Sequence, residues 1–461
     1  MSVSPYEFQF EISPMIFPVG KEVEFTIRPV HTKKFVQRYF NSDDLCLEIT
    51  RKDASSGHYE FTSWNLTTIY VKPDENGALH FSYKALGEGE HSVKILSEGR
   101  KKVILGICAL EPDLMERTPY RGDFHMHTCM SDGTEAPEIV CAHYRAKGYD
   151  FITVTDHKRY YPSLDAINFY KDINTGLEIF PGEEVHLPGT HVHIVNAGGL
   201  FSVNGLLPTL DNYIETNGEL ERRRYDPSVS APDVLTLEKY EAEIAEIKDG
   251  ITDCPDNVDN HSYAVCKWAF DRIKEADGLG VFAHPMWLAD MWNVGEPLTR
   301  YMFEKHPFDA FEVIGGQPSY GENGLQVAIY YDEWRKGRNH PIVGSTDSHG
   351  STDKNVNAFV SSTIVFAKKK TRKDIIEAVK DMYSVAVDTS AERYRIIGDY
   401  RLQKYATFLM DHFYPHHDRL ARLSGEMMYL YAIGKATKEE VEICSKKVED
   451  FFKEMIFTCG E

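Results

Sequence analysis

The chain has 461 residues, and 51 Lys and Arg against 71 Asp and Glu give it a net charge of −20 at pH 7. Hydrophobic residues make up 42 % and charged residues 26 %, ordinary globular usage that excludes a disordered, collagenous or disulfide-scaffold chain. The acidic excess argues against a broad nucleic-acid or anionic-membrane surface, and leaves room for a small anion only where the site itself supplies positive charge.

The longest apolar stretch, Val103 to Leu110, is far short of the roughly 20 residues that span a bilayer. No Lys or Arg precedes Lys21, and Pro5, Glu7, Glu11 and Pro14 break any signal-peptide pattern. The eight cysteines form no CxxC pair, which reads as reduced thiols in a cytoplasmic protein.

In chain order, residues 1–117 read as a small all-β sandwich of immunoglobulin-like kind. Its predicted strands are Val23–Val30, Leu45–Thr50, Tyr59–Val71, Leu79–Tyr83, Ser92–Leu96 and Val103–Leu110, with turn signals between them. Glu111–Asp113 and Thr118–Pro119 read as a linker. From 118 to 390 short apolar strands alternate with helical patterns, which predicts a parallel sheet, open or closed into a barrel. The strands are Phe151–Thr155, Glu178–Pro181, His191–Asn196, Gly280–Ala283, Phe311–Ile314 and Ile342–Ser345. Helices Pro137–Lys147 and Leu325–Lys336 end at Gly148 and Gly337, which suit left-handed caps. Residues 200–260 read as a polar, irregular insertion, and 391–461 as a helical segment in which Thr437–Glu440 forms a capping box.

Chemistry is concentrated at the strand ends. Asp123–Phe124–His125–Met126–His127 puts two imidazoles on one side of an extended segment. Thr155 leads into Asp156–His157, Gly182 into Glu183–Glu184, Ala283 into His284, and Thr346 into Asp347–Ser348–His349. Taken singly, these are a surface pair, helix caps, a solvated turn or a core histidine. Together they place nitrogen and oxygen ligands at the carboxyl ends of successive strands, where α/β active sites are built. Imidazole and carboxylate without thiolate suit zinc, manganese or iron.

The ordered set His125-x-His127, Ser131–Asp132–Gly133, Thr155–Asp156–His157, Gly182–Glu183–Glu184, His191, Ala283–His284–Pro285 and Asp347–Ser348–His349 resembles the PHP (polymerase and histidinol phosphatase) family over about residues 120–365. The resemblance implies a distorted (β/α)7 barrel with two or three divalent ions (Zn, Mn or Fe), and the sandwich before it and the C-terminal helices after it lie outside the resemblance. It implies that His125, His127 and Asp347 hold one ion, that Glu184 bridges to a second held by His191 and His284, and that Asp132, His157 and His349 hold a third. Glu183 is an alternative to Glu184, and His193 or His186 to His191.

Three carboxylates contribute about −3 and three divalent ions about +6, so the pocket would stand near +3 and attract a phosphate dianion. The expected reaction is hydrolysis of a phosphoester of a small metabolite or nucleotide by a metal-bridging hydroxide. Lys158 and Arg159, just past His157, are candidate phosphate contacts, with Arg222–Arg224 as further candidates. The same cluster could instead open a carbamate, amide or phosphotriester, and a non-catalytic binding protein is a further alternative. The expected partner is a small anion, with neither nucleic acid nor membrane, and the oligomeric state is open.

Overall fold

The computed structural model describes residues 10–30, 45–53, 66–97, 100–207, 224–288, 290–315, 320–352, 358–391 and 393–458. Its backbone divides into two compact units: Met1–Arg117 with Tyr400–Leu420 and Lys446–Glu461, and Thr118–Asp399 with Ala421–Ser445. The C-terminal helical residues are thus shared between the two units.

The first unit holds two sheets. One runs Phe10–Ser13, Glu22–Pro29, Leu79–Lys84; the other runs Ile16–Pro18, Arg100–Leu110, Gly89–Ser97, Leu45–Arg51, Leu66–Val71. Alternation decides the buried face: along Glu22–Pro29, Val23, Phe25 and Ile27 are buried while Glu22 and Glu24 are exposed. Phe17 of the larger sheet meets Phe25 of the smaller edge-on at 5.0 Å, and Phe25 stacks on Phe81 at 5.1 Å. Each such buried apolar side chain contributes roughly 1.5–3 kcal/mol. The predicted Tyr59–Val71 strand is present as Leu66–Val71, and residues 54–65 lie outside the described residues.

The second unit is mixed α/β, with two sheets. The six-stranded one runs Glu178–Phe180, Phe151–Thr153, Thr118–Asp123, Ser361–Ala367, Ser384–Asp388, Arg395–Ile397. The five-stranded one runs Gly182–Val185, Ile194–Ala197, Leu279–Phe282, Ala310–Ile314, Ile342–Gly344. Pro181 alone separates strand Glu178–Phe180 of the first sheet from strand Gly182–Val185 of the second.

The wholly parallel arrangement predicted for this region is not what forms. Gly182–Val185, Ile194–Ala197 and Leu279–Phe282 pair antiparallel, as do Thr118–Asp123 and Ser361–Ala367. Segment 186–193 is shorter than the dozen or so residues a parallel crossover needs, so the strand it leads to must return antiparallel. The segment read as a linker is ordered: Pro112–Met115 is a helical turn, and Pro119 lies in strand Thr118–Asp123. Part of the insertion is also regular. Thr236 caps helix Leu237–Asp249, which buries Tyr240 and Ile244 at i and i+4. Residues 208–223 lie outside the described residues.

Among the described residues, apolar clusters fill this unit. Tyr330 is buried in the largest, with Trp334 packed against it. Among the described residues no helix is long and apolar enough to cross a membrane.

Candidate metal centre

Asp123, at the end of its strand, anchors the site. Fully buried, it accepts the N–H of His125 at 3.1 Å, the N–H of Thr346 at 3.2 Å and the Thr346 hydroxyl at 2.6 Å. Burial pushes its carboxyl up to about 7, against these hydrogen bonds. Backbone bonds from Asp347 to His125 (2.9 Å) and from His127 to Ser348 (2.8 Å) extend the pairing, so His125 and His127 lie beside the Asp347 loop. Asp156 shapes the next turn, accepting Thr128 N–H at 2.9 Å, the Thr128 hydroxyl and the Ser131 hydroxyl at 2.6 Å. That turn carries Asp132. His284 and Asp347 both hold positive φ, 21° and 49°, strain of the kind that concentrates at functional sites.

Around these anchors, side chains from distant parts of the sequence converge. His127 Nε2 lies 2.8 Å from Asp347 Oδ1, and His125 Nε2 is 3.4 Å from both Asp347 Oδ1 and Glu184 Oε2. Glu184 Oε2 is also 2.7 Å from His157 Nδ1 and 3.4 Å from His127 Nε2. Its Oε1 faces His193 Nδ1 at 2.7 Å, His186 Nε2 at 3.5 Å and His284 Nε2 at 3.7 Å. Asp132 Oδ2 lies 3.4 Å from both His157 Nε2 and His349 Nε2. The donors thus fall into overlapping groups: His125, His127, Glu184, Asp347; Glu184, His193, His284; and His127, Asp132, His157, His349.

The expected site residues are gathered with one exception. His191 is exposed and belongs to none of these groups, and His193 stands beside Glu184 instead. The predicted strand begins only at Ile194, so the alternation assumed from His191 onward does not hold. Between the two glutamates the hydrogen bonds decide. Glu183 accepts from Asn196, the Ser202 hydroxyl, Val203 N–H and Asn204, whereas neither oxygen of Glu184 has an aligned donor among the described residues.

Glu312 is a participant that sequence reasoning missed. Its Oε2 is 3.0 Å from His125 Nδ1, and both residues are fully buried. The signal was a lone acid inside the apolar strand Ala310–Ile314. His186 also joins a group with His157 and Glu184.

The electrostatics call for positive charge. Burial opposes ionisation of Glu184, yet the surrounding His193, His125, His186 and His157 hold its carboxyl well below the usual range. Asp132, exposed at the rim of the cluster, is likewise lowered, through hydrogen bonds with His157 and His349 that outweigh its partial desolvation. Conversely, His157 is raised to about 10, its burial outweighed by Glu184 and Asp132. Buried His125 Nε2, His127 Nδ1, His193 Nδ1, both nitrogens of His284 and both oxygens of Glu184 have no aligned hydrogen-bond partner among the described residues. Orphaned buried donors and acceptors are costly, and aiming imidazole and carboxylate lone pairs at common points is what a divalent cation requires. The donor set fits such ions.

Lys158 and Arg159 contribute differently. The Lys158 N–H donates to the Glu184 carbonyl at 2.9 Å. The Arg159 guanidinium turns to the Met130 carbonyl and the Tyr161 hydroxyl. Arg224 is exposed, and Arg222 and Arg223 lie outside the described residues.

No protein-family model matches the chain, and no curated protein matches it. Solved structures do. A two-domain Bacteroides vulgatus protein containing a predicted PHP-like metal-dependent phosphoesterase is 16 % identical over 59 % of this chain and 65 % of its own, at a TM-score of 0.37. A candidate metal-dependent phosphoesterase from Bifidobacterium adolescentis is 17 % identical over 51 % of this chain and 89 % of its own, at 0.31. A Chromobacterium violaceum amidohydrolase with bound sulfate and no metal is 16 % identical over the same shares, at 0.29.

Proposed function

We propose that this chain is a metal-dependent hydrolase of the PHP type that cleaves a phosphoester of a small anionic substrate on a distorted (β/α)7 barrel. The observation that carries the reading is Glu184: a fully buried carboxylate with no aligned hydrogen-bond donor among the described residues, faced by six imidazoles at 2.7–3.7 Å. His125, His127, Glu184 and Asp347 would hold one ion, Glu184, His193 and His284 a second, and Asp132, His157 and His349 a third. Bound divalent ions supply Lewis acidity and a water acidified toward neutral pH.

The chain's own residues prepare that chemistry. Glu312 orients His125 by taking its Nδ1 edge, which leaves Nε2 for the cluster. The Asp347 carbonyl, 2.9 Å from His349 Nδ1, does the same for that ring. Asp123 fixes the His125 and Thr346 backbones, so the ligands are held before substrate arrives. In the overall reaction the oxygen of water joins phosphorus, the bond to the leaving oxygen breaks, and the proton passes to the leaving group.

The test is a parallel panel of phosphomonoesters, phosphodiesters and aryl carbamates, assayed after reconstitution with Mn²⁺, Zn²⁺ or Fe²⁺. Phosphomonoester turnover that needs metal supports the reading; cleavage of carbamates alone would move the activity to acyl chemistry, and no turnover would overturn it.

A further inference from the structure

The loop that follows His284 is apolar and lies open at the edge of the cluster. Its residues, Pro285 to Val294, include two tryptophans, two methionines and Leu288, with Asp290 the only charge. Leu288, Met291 and Trp292 are 45 %, 77 % and 36 % exposed. The loop is nonetheless built: Trp287 N–H donates to the His284 carbonyl at 3.0 Å, Asn293 N–H to the Trp287 carbonyl at 2.8 Å, and Val294 N–H to the Pro285 carbonyl at 3.0 Å. Leu288 and Trp292 form a bridge across it. The Trp287 ring lies 6.1 Å from that of His193 and 6.3 Å from that of His284.

An exposed run of large apolar side chains in a fixed loop marks a binding surface. Here it adjoins two of the cluster's imidazoles. The loop offers no cation for a second phosphate, and Asp290 would repel one. Arg159 is engaged by Met130 and Tyr161. We propose that this loop selects phosphomonoesters whose leaving group is bulky and aromatic, with Trp287 packing against that group while the cluster grips the phosphoryl end. The inference rests on the phosphoesterase reading for the grip and on the loop for the selection. Phosphate and the free aryl alcohol are the products, water supplying the oxygen on phosphorus and the proton on the alcohol.

Phenyl phosphate and 2-naphthyl phosphate separate the two, because their leaving groups have similar acidity and differ in apolar area. With metal-reconstituted full-length protein, kcat/KM is expected to favour the naphthyl ester by about 10-fold or more. Trp287→Ala should bring that ratio to within about 2-fold, and Trp292→Ala should lower it, while Trp287→Phe keeps most of it. A ratio near one in the unsubstituted protein, or one unchanged in Trp287→Ala, overturns the proposal. If neither ester is cleaved while another phosphomonoester of the panel is, the proposal is overturned; if no ester of the panel is cleaved, the phosphoesterase reading fails. The ratio of their dissociation constants, followed by tryptophan fluorescence, then decides the loop by the same criteria.

Discussion

Glu183 and Glu184 are consecutive residues of one strand with opposite surroundings. Glu183 spends its oxygens on four donors, and Glu184 presents both of its oxygens to imidazoles. Alternation along strand Gly182–Val185 sends neighbouring side chains to opposite faces, one into structure and the other into the site. Substitution should separate the two roles. Glu184→Gln is expected to lower metal content and reduce hydrolysis by roughly 100-fold or more, with no loss of stability in the metal-free protein. Glu183→Ala leaves several buried donors unmatched and should cost about 3 kcal/mol or more in urea unfolding.

His193 and His191 make a second contrast. His193 sits 2.7 Å from Glu184, and His191 is exposed. His193→Ala should remove about one equivalent of metal from the fully loaded protein. His191→Ala should leave content and turnover as they were, which elemental analysis and the ester assay would read side by side.

Glu312 acts through His125. Glu312→Gln keeps an acceptor for Nδ1 but loses the charge, and Glu312→Ala loses both. Metal affinity should fall about 10–100-fold, more for Ala than for Gln, measured by competition with a chelator. Equal effects of the two substitutions would reduce Glu312 to a packing residue.

Away from the site, His340 sets an acid limit on stability. It is 3 % exposed, and neither ring nitrogen has a hydrogen-bond partner among the described residues. Burial, with the charge of neighbouring His306, pushes its pKa down to about 4 from 6.5. The folded ring stays neutral where the unfolded one takes a proton, so stability is full above 6.5 and is lost as pH falls from there toward about 4. His340→Leu should flatten this part of the pH profile of the melting temperature. An unchanged slope between pH 7 and 5 would place the acid sensitivity elsewhere.

Local features of this fold are legible in the sequence because they depend on few residues. Thr437 and Glu440 cap each other reciprocally, at 2.8 and 3.3 Å, and Gly148 and Gly337 take φ of 87° and 82° at helix ends. His157, His284, Asp347 and His349 were legible for a similar reason, since each follows a short apolar strand, while His125 and His127 showed as an alternating pair and Glu184 as one of two acids after Gly182. Strand direction was not legible, since it turns on connections such as 186–193 and on the pairing of Thr118–Asp123 with Ser361–Ala367 across the sequence. The His191 position failed because one irregular stretch before Ile194 upset the assumed alternation. Helix Leu237–Asp249 was hidden by its acidic surface, although Leu237, Tyr240, Ile244 and Ile247 carry the helical spacing.

The central claim is that these donors gather to hold metal. Elemental analysis of the purified chain after Mn²⁺, Zn²⁺ or Fe²⁺ loading and desalting, beside Glu184→Gln treated identically, tests it most directly. The expected result is about two or three equivalents per chain, a sharp fall in the variant, and phosphomonoester turnover that follows the metal. A chain that retains no more metal than Glu184→Gln, and cleaves no ester when loaded, would contradict it.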